Sequence, residues 1–288
     1  MLTDGQMKFI FKLFKKTRRV TGEDVRFVGG FVLKSYKDNV SGEFEKAENL
    51  YKLTKFCNFS TPHPLECNFS SATIKYSYVP NTQSIREKYI DFMKSEQRNK
   101  QCISDFYNAG IALGEIHSNL KLKNFKTWTP DKHFIKFMGR FDHKIMKKLL
   151  KSKQVFSHCD YGFSNVHFSE KTEEIVVFDP SSNGFITQSS VLLAPIYLDL
   201  ANFICNLNGL IPLRMYAGVK WNRMSELKDI FISGYEDSSG NCVDKEVLEA
   251  IVYVTARKYF NYKYQSRLLR FVAINALFNF YKGNRIIL

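Results

Sequence analysis

"SHCDYGFSNVHF" (157–168) is the stretch on which the reading of this chain turns. It sets His158, Asp160 and Asn165 close together in a segment with neither the alternation of a strand nor the 3.6-residue period of a helix. An acid and an amide at that interval, behind a histidine, read as a loop that presents oxygen atoms.

Phosphoryl transfer needs that kind of loop. It asks for a carboxylate to orient and deprotonate an attacking hydroxyl, oxygen ligands for Mg2+, and a cation on the nucleotide phosphates. Asp160 suits the base, and Asn165 suits a metal ligand through its side-chain oxygen. Downstream, "EEIVVFDPSSNGF" (173–185) reads as a short apolar strand, Ile175 to Phe178, ending at Asp179, whose carboxylate would bridge Mg2+ to the phosphates. Upstream, "VRFVGGFVLKSY" (25–36) reads as a strand with Lys34 inside it, and an anion would explain a lysine in such an apolar setting. Residues 42–56 read as a helix capped by Ser41, with Glu43 on its inward face near Ala47 and Leu50, placed to hold Lys34 as an ion pair.

These residues resemble the aminoglycoside phosphotransferase and choline kinase branch of the protein-kinase-like superfamily, whose catalytic loop reads H-G-D-x-x-x-x-N. His158, Asp160 and Asn165 match that pattern, and "IVVFDP" resembles its metal-binding strand end. "YSYVPNTQSI" resembles the family's hinge, "LGEIHS" (113–118) its helix end, and "YLDLANF" (197–203) its downstream Asp-Leu-Ala segment, all in the family's order. The resemblance implies an α+β, two-lobed kinase-like fold: an N-lobe over 1–80, and a helical C-lobe over 81–288 that carries the catalytic loop and the acceptor site. It implies ATP and Mg2+ as cofactors. Asp160, His158 and Asp199 would form the catalytic group, with Asp199 tethering the loop and His158 supporting it. Lys34, Glu43 and Tyr78 would contact the nucleotide, and Asn165 and Asp179 the metal.

Three departures from the pattern stand out. Cys159 replaces the glycine of the loop, Pro180 follows Asp179, and no glycine-rich phosphate loop precedes Lys34, because the Gly29-Gly30 pair lies too near the lysine for the usual hairpin. They keep a second reading open, a kinase-like nucleotide-binding module without turnover. A protein kinase is disfavoured for want of an Ala-Pro-Glu-like activation segment, and Ser157 lacks the elbow of a serine hydrolase. His117, at a helix end, reads as a packing or capping residue.

Bulk properties bound the rest. With 288 residues, 26 Phe and 15 Tyr, the chain can build a large core. Six scattered cysteines without a CxxC pair read as reduced thiols, and no apolar run is long enough for a bilayer, so a cytoplasmic protein is expected. The net charge of +14 favours an anionic sugar, glycan or glycolipid as acceptor over a cationic one. Nucleic acid is disfavoured, since no binding motif is present and the basic residues are dispersed. "QMKFIFKLFKK" (6–16) reads as a basic amphipathic helix that caps its own domain, compatible with peripheral contact at an anionic membrane.

Overall fold

A computed structural model describes residues 25–37, 39–95, 99–180, 189, 191–209 and 222–263. The helix expected over 6–16 lies outside them, as do the residues that follow Pro180 up to 188.

The described residues up to 80 include an antiparallel sheet and one helix. β1 (Val25–Val28) and β2 (Phe31–Ser35) form a hairpin, so the single strand expected over 25–36 is broken at its centre. Gly29 and Gly30 make the turn with φ of 56° and 81°, a conformation open to glycine at little cost. This corrects the expectation that the glycine pair sits too near Lys34 to close a hairpin. Two left-handed residues need no extra length, and Val25 pairs directly with Lys34. β5 (Thr73–Ser77) and β4 (Pro64–Asn68) complete the sheet in the order β1-β2-β5-β4.

Helix α1 (Val40–Leu53) packs against β4 and β5. Its cap is Asn39, at φ 51°, whose side chain accepts from the Gly42 amide; the helix thus starts before Ser41, because an asparagine tolerates the left-handed position that the entry turn imposes. The buried face of α1 carries Glu43, Lys46, Ala47, Leu50 and Leu53, as the spacing of its apolar residues anticipates.

The chain then crosses at Pro80-Asn81, with Asn81 at φ 56°, into β6 (Thr82–Ser84), α2 (Ile85–Lys94) and the long α3 (Lys100–Asn119). Two small sheets frame the loop over 157–165. One orders β3 (Phe59–Ser60), β10 (Ile175–Val177), β9 (Val166–Ser169) and β6; the other orders β7 (Lys126–Thr127), β11 (Leu192–Pro195) and β8 (Gln154–Phe156). The basic stretch over 132–153 divides at Gly139 into α4 (Lys132–Met138) and α5 (His143–Lys151). Helices α6 (Tyr197–Gly209), α7 (Asn222–Ser239) and α8 (Lys245–Lys263) complete the described C-lobe. The fold is α+β, with a β-rich N-terminal part and a helical C-terminal part. Among the described residues no helix is long and apolar enough to cross a membrane, and no cysteine is in a disulfide.

The C-lobe core is aromatic. Phe106, Phe163, Phe203 and Phe231 are fully buried, with Phe163 edge-on to Phe106 and Phe203 stacked on Phe231. Helices α3 and α7 approach so closely that a Cβ on Gly110 would overlap the Phe231 carbonyl and one on Gly234 the Tyr107 carbonyl. The small residues of "YNAGIALGEIHS" (107–118) permit this close approach. A methyl group has nowhere to go here, because helix backbone cannot yield as a flexible side chain can. Gly110→Ala and Gly234→Ala should each destabilise the protein by about 2–3 kcal/mol despite alanine's better helix propensity. Urea melts check this, and an unchanged midpoint would show that the helices can move apart.

Candidate active site

The loop between β8 and β9 is held from below by one carboxylate. Asp199 stands in the first turn of α6, 2% exposed. Its Oδ2 accepts from the Ser157 hydroxyl at 2.8 Å and the His158 amide at 2.7 Å, and its Oδ1 from the Cys159 amide at 2.9 Å. His117 Nε2 lies 3.0 Å from the same Oδ2, while its Nδ1 meets the Tyr235 hydroxyl at 3.0 Å. Burial alone would push the Asp199 pKa up, but the hydrogen bonds and charge of His117, with His158 and Ser157, outweigh it and hold the carboxyl at about 2. The residue is therefore an anion around which three consecutive loop residues are arranged.

Loop side chains alternate between core and cleft. Tyr161 and Phe163 are fully buried, Tyr161 donating its hydroxyl to the Ala109 carbonyl at 2.7 Å. Asp160 and Asn165 turn the other way and meet: Asn165 Nδ2 donates to Asp160 Oδ2 at 2.8 Å and to the Asp160 carbonyl at 3.0 Å. Asn202, one turn beyond Asp199 on α6, reaches Asp160 Oδ1 at 3.3 Å. The Phe178 amide donates to the Asn165 carbonyl at 2.8 Å, which brings the end of β10, and so Asp179, beside the loop.

From the N-lobe, the Lys34 ammonium contacts Asp179 Oδ1 directly, across 145 positions of sequence. It also lies 4.8 Å from the centroid of the Tyr36 ring. Burial first, and then the neighbouring Tyr76, Asp179 and Glu43, raise the Tyr36 pKa far above its usual value. Asp179 and Glu43 thus both lie near enough to act on Tyr36, and Lys34 and Glu43 are buried, 6% and 5% exposed. Tyr78 stands apart from this group. It is 51% exposed beyond the end of β5, edge-on to the exposed Phe27 of β1 at 5.9 Å.

The donor set fits a hard divalent cation. Asp179 offers a carboxylate, and Asn165 an amide oxygen whose nitrogen is already engaged by Asp160. Among the described residues no group of three or more His, Cys, Asp or Glu side chains is gathered to hold a metal. A Mg2+ ion ordinarily takes few protein ligands and completes its shell with phosphate oxygens and water.

His158 is wholly buried, with its ring edge-on to Tyr161 at 5.4 Å. Burial, reinforced by the charge of Lys46, pulls its pKa down to about 3, so the imidazole is neutral at any ordinary pH and is no proton shuttle. Cys159 has φ 75°, a left-handed conformation in the place where the resembling family has glycine. Burial pushes its thiol up to about 11, so it stays protonated.

Four participants were missed or given smaller roles by sequence reasoning. Ser157 bridges Asp199 and the Cys159 amide, and His117 joins α3 and α7 to Asp199. Asn202 was legible as the residue one turn after Asp199. Lys46 was legible as a charge on the apolar face of α1, one turn after Glu43.

The sequence matches no protein-family model and none of the curated proteins. Solved structures do match. Glucosamine kinase in one crystal form aligns with a TM-score of 0.61 at 11% identity, covering 90% of this chain and 74% of the other. A second crystal form gives 0.59 at 12% identity, covering 96% and 84%. Choline kinase LicA from Streptococcus pneumoniae gives 0.53 at 12% identity, covering 97% of this chain and 100% of the other. The chain therefore shares its two-lobed α+β fold with these kinases, the fold that the loop motif implied.

Two acid transitions follow. His158 binds its proton less tightly folded, at about 3, than unfolded, at 6.5, so protons favour the unfolded chain and stability falls as pH drops through that window. Asp199, lowered from 3.8 to about 2, contributes roughly 2 kcal/mol that is present above 3.8 and lost as pH falls towards 2. Urea melts should show the first slope abolished by His158→Gln while the second remains; an unchanged slope would mean that the ring is not buried as described. At Cys159, glycine relieves the left-handed backbone but leaves a small void, so Cys159→Gly should shift stability by no more than about 1 kcal/mol, whereas β-branched Cys159→Val should cost about 2–3 kcal/mol. Thermal melts of the pair decide it.

Proposed function

We propose that this protein is an ATP- and Mg2+-dependent phosphotransferase that phosphorylates a hydroxyl group of a small-molecule or glycan acceptor. The observation that carries the reading is the direct contact of Lys34 with Asp179 beside the Asp160–Asn165 pair: a cation for phosphates, brought across 145 positions to an anion for a metal and a second anion for a hydroxyl.

Asp160 accepts the proton of the acceptor hydroxyl and orients its oxygen for attack. Asn165 and Asn202 donate to opposite oxygens of that carboxylate and fix its plane. Lys34 supplies positive charge to the nucleotide phosphates, and Glu43 lies on the buried face of α1 to hold the lysine in place. Asp179 and Asn165 would hold Mg2+, which supplies charge neutralisation on the phosphates when bound. The exposed Phe27 and Tyr78, edge-on to each other, offer apolar surface for a nucleobase.

The tight Gly29-Gly30 turn supports an active enzyme over a silent module, since a hairpin precedes the lysine and carries it on its second strand. For the acceptor, the net charge of +14 favours an anionic sugar, glycan or glycolipid. The similar structures bear the names of kinases for an amino sugar and for choline, so both charge classes belong in the test.

The experiment is Mg2+-dependent ATP consumption across acidic sugars, glycolipids, amino sugars and choline, with Asp160→Asn alongside. Wild type should turn over at least one acceptor. Asp160→Asn should lose about 100- to 10,000-fold in kcat while still giving a Mg-ATP thermal shift. Absence of that shift in the wild type would overturn the nucleotide reading, and a response confined to cationic acceptors would overturn the charge reading.

A further inference from the structure

Lys46 has no part in the chemistry above, yet it is 0% exposed beneath it. Its ammonium donates to the His158 carbonyl at 2.9 Å and to the Pro180 carbonyl at 2.6 Å. Those two oxygens belong to different segments, one leading into Asp160 and the other leaving Asp179. Removing an ammonium from water costs several kcal/mol unless the new site supplies strong acceptors, so a lysine here is a costly way to fill space.

The peptide between His158 and Cys159 shows what the lysine accomplishes. Its N–H end is bound by Asp199 Oδ1 at 2.9 Å, and its C=O end by Lys46 at 2.9 Å. An anion and a cation therefore grip one peptide unit from opposite ends, at the unit whose next residue, Cys159, stands at φ 75°. That backbone is unfavourable for a residue with a Cβ and persists only where its surroundings over-determine it. The second bond of Lys46 falls one residue after Asp179, itself at φ 51°. Both carboxylates assigned to the chemistry thus hang on left-handed turns pinned by the same ammonium, which rides on the α1 face that also carries Glu43.

We infer that Lys46 is a positioning residue: its buried ammonium clamps the backbone before Asp160 and after Asp179 to helix α1, and so sets the spacing between the proton acceptor and the metal-binding carboxylate. The inference rests on the phosphotransferase reading for its catalytic consequence, but not for its structural one. Displacing α1 would move both segments together, since one side chain holds them.

The test compares wild type with Lys46→Met, which keeps length and removes charge, and with Lys46→Gln, which keeps a donor and serves if the methionine variant fails to fold. Hydrogen exchange should quicken together in peptides covering 157–165 and 175–180, while α3 and α7 keep their protection. In steady-state assays kcat should fall about 100-fold with the KM for ATP within a few-fold. The Mg2+ concentration for half-maximal rate should rise about 10- to 100-fold, as it does when groups that orient metal ligands are lost. Lys46→Arg, which keeps the charge, should bring that Mg2+ concentration part of the way back to the wild-type value. Faster exchange confined to α1, or an unchanged Mg2+ dependence in a folded variant, would overturn the inference. If wild type gives no Mg-ATP response at all, the phosphotransferase reading fails, and the exchange data alone still decide whether Lys46 holds both segments.

Discussion

A carboxylate sealed from water at the start of α6 organises this molecule. Asp199 is surrounded by donors from three directions: the loop amides from above, Ser157 from the side and His117 from the helix pair below. Because each donor would otherwise be a buried unpaired group, loss of the carboxylate would expose all of them to the full cost of desolvation. The loop over 157–165 is thereby tied to the packing of α3 against α7, through His117 and Tyr235. Helix packing that looks remote from the chemistry is part of its support.

The same economy appears in how charge is arranged around the loop. Asp199 and Lys46 sit on opposite sides of one peptide unit, and Lys34 meets Asp179 a short way off. His158 lies within this set and stays neutral, because burial and the lysine beside it both oppose protonation. Cations and anions therefore alternate, and the strained backbone at Cys159 and Asp179 falls between them. In a low-dielectric setting such pairs act as rigid braces more than as sources of net stability.

Much of the candidate site was legible because the phosphate chemistry proposed for it needs particular atom types at short spacing. Asp160 and Asn165 lie on one loop, Asp179 ends an apolar strand, and Lys34 interrupts another, so each announced itself as a polar group in an unusual context. Glu43 and the buried face of α1 followed from helical period, which any straight helix must obey. The hairpin at Gly29-Gly30 was misjudged for a different reason. Alternation continues across the glycine pair as if in one strand, and only the positive φ at both glycines reveals that the chain reverses. Ser41 was chosen as a cap on side-chain type, whereas Asn39 caps because the entry backbone is left-handed.

The amino-acid sequence by itself determined the order of the parts, the fold class and the identities of the groups that could serve phosphate, metal and hydroxyl, because those depend on local pattern and residue chemistry. Tertiary structure alone decided that Lys34 meets Asp179, that His117 meets Asp199, and that Lys46 reaches two carbonyls more than a hundred residues away. Contacts of that kind leave no period in the chain. They exist because burial makes each polar group find a partner, and which partner it finds is settled by how helices and sheets pack.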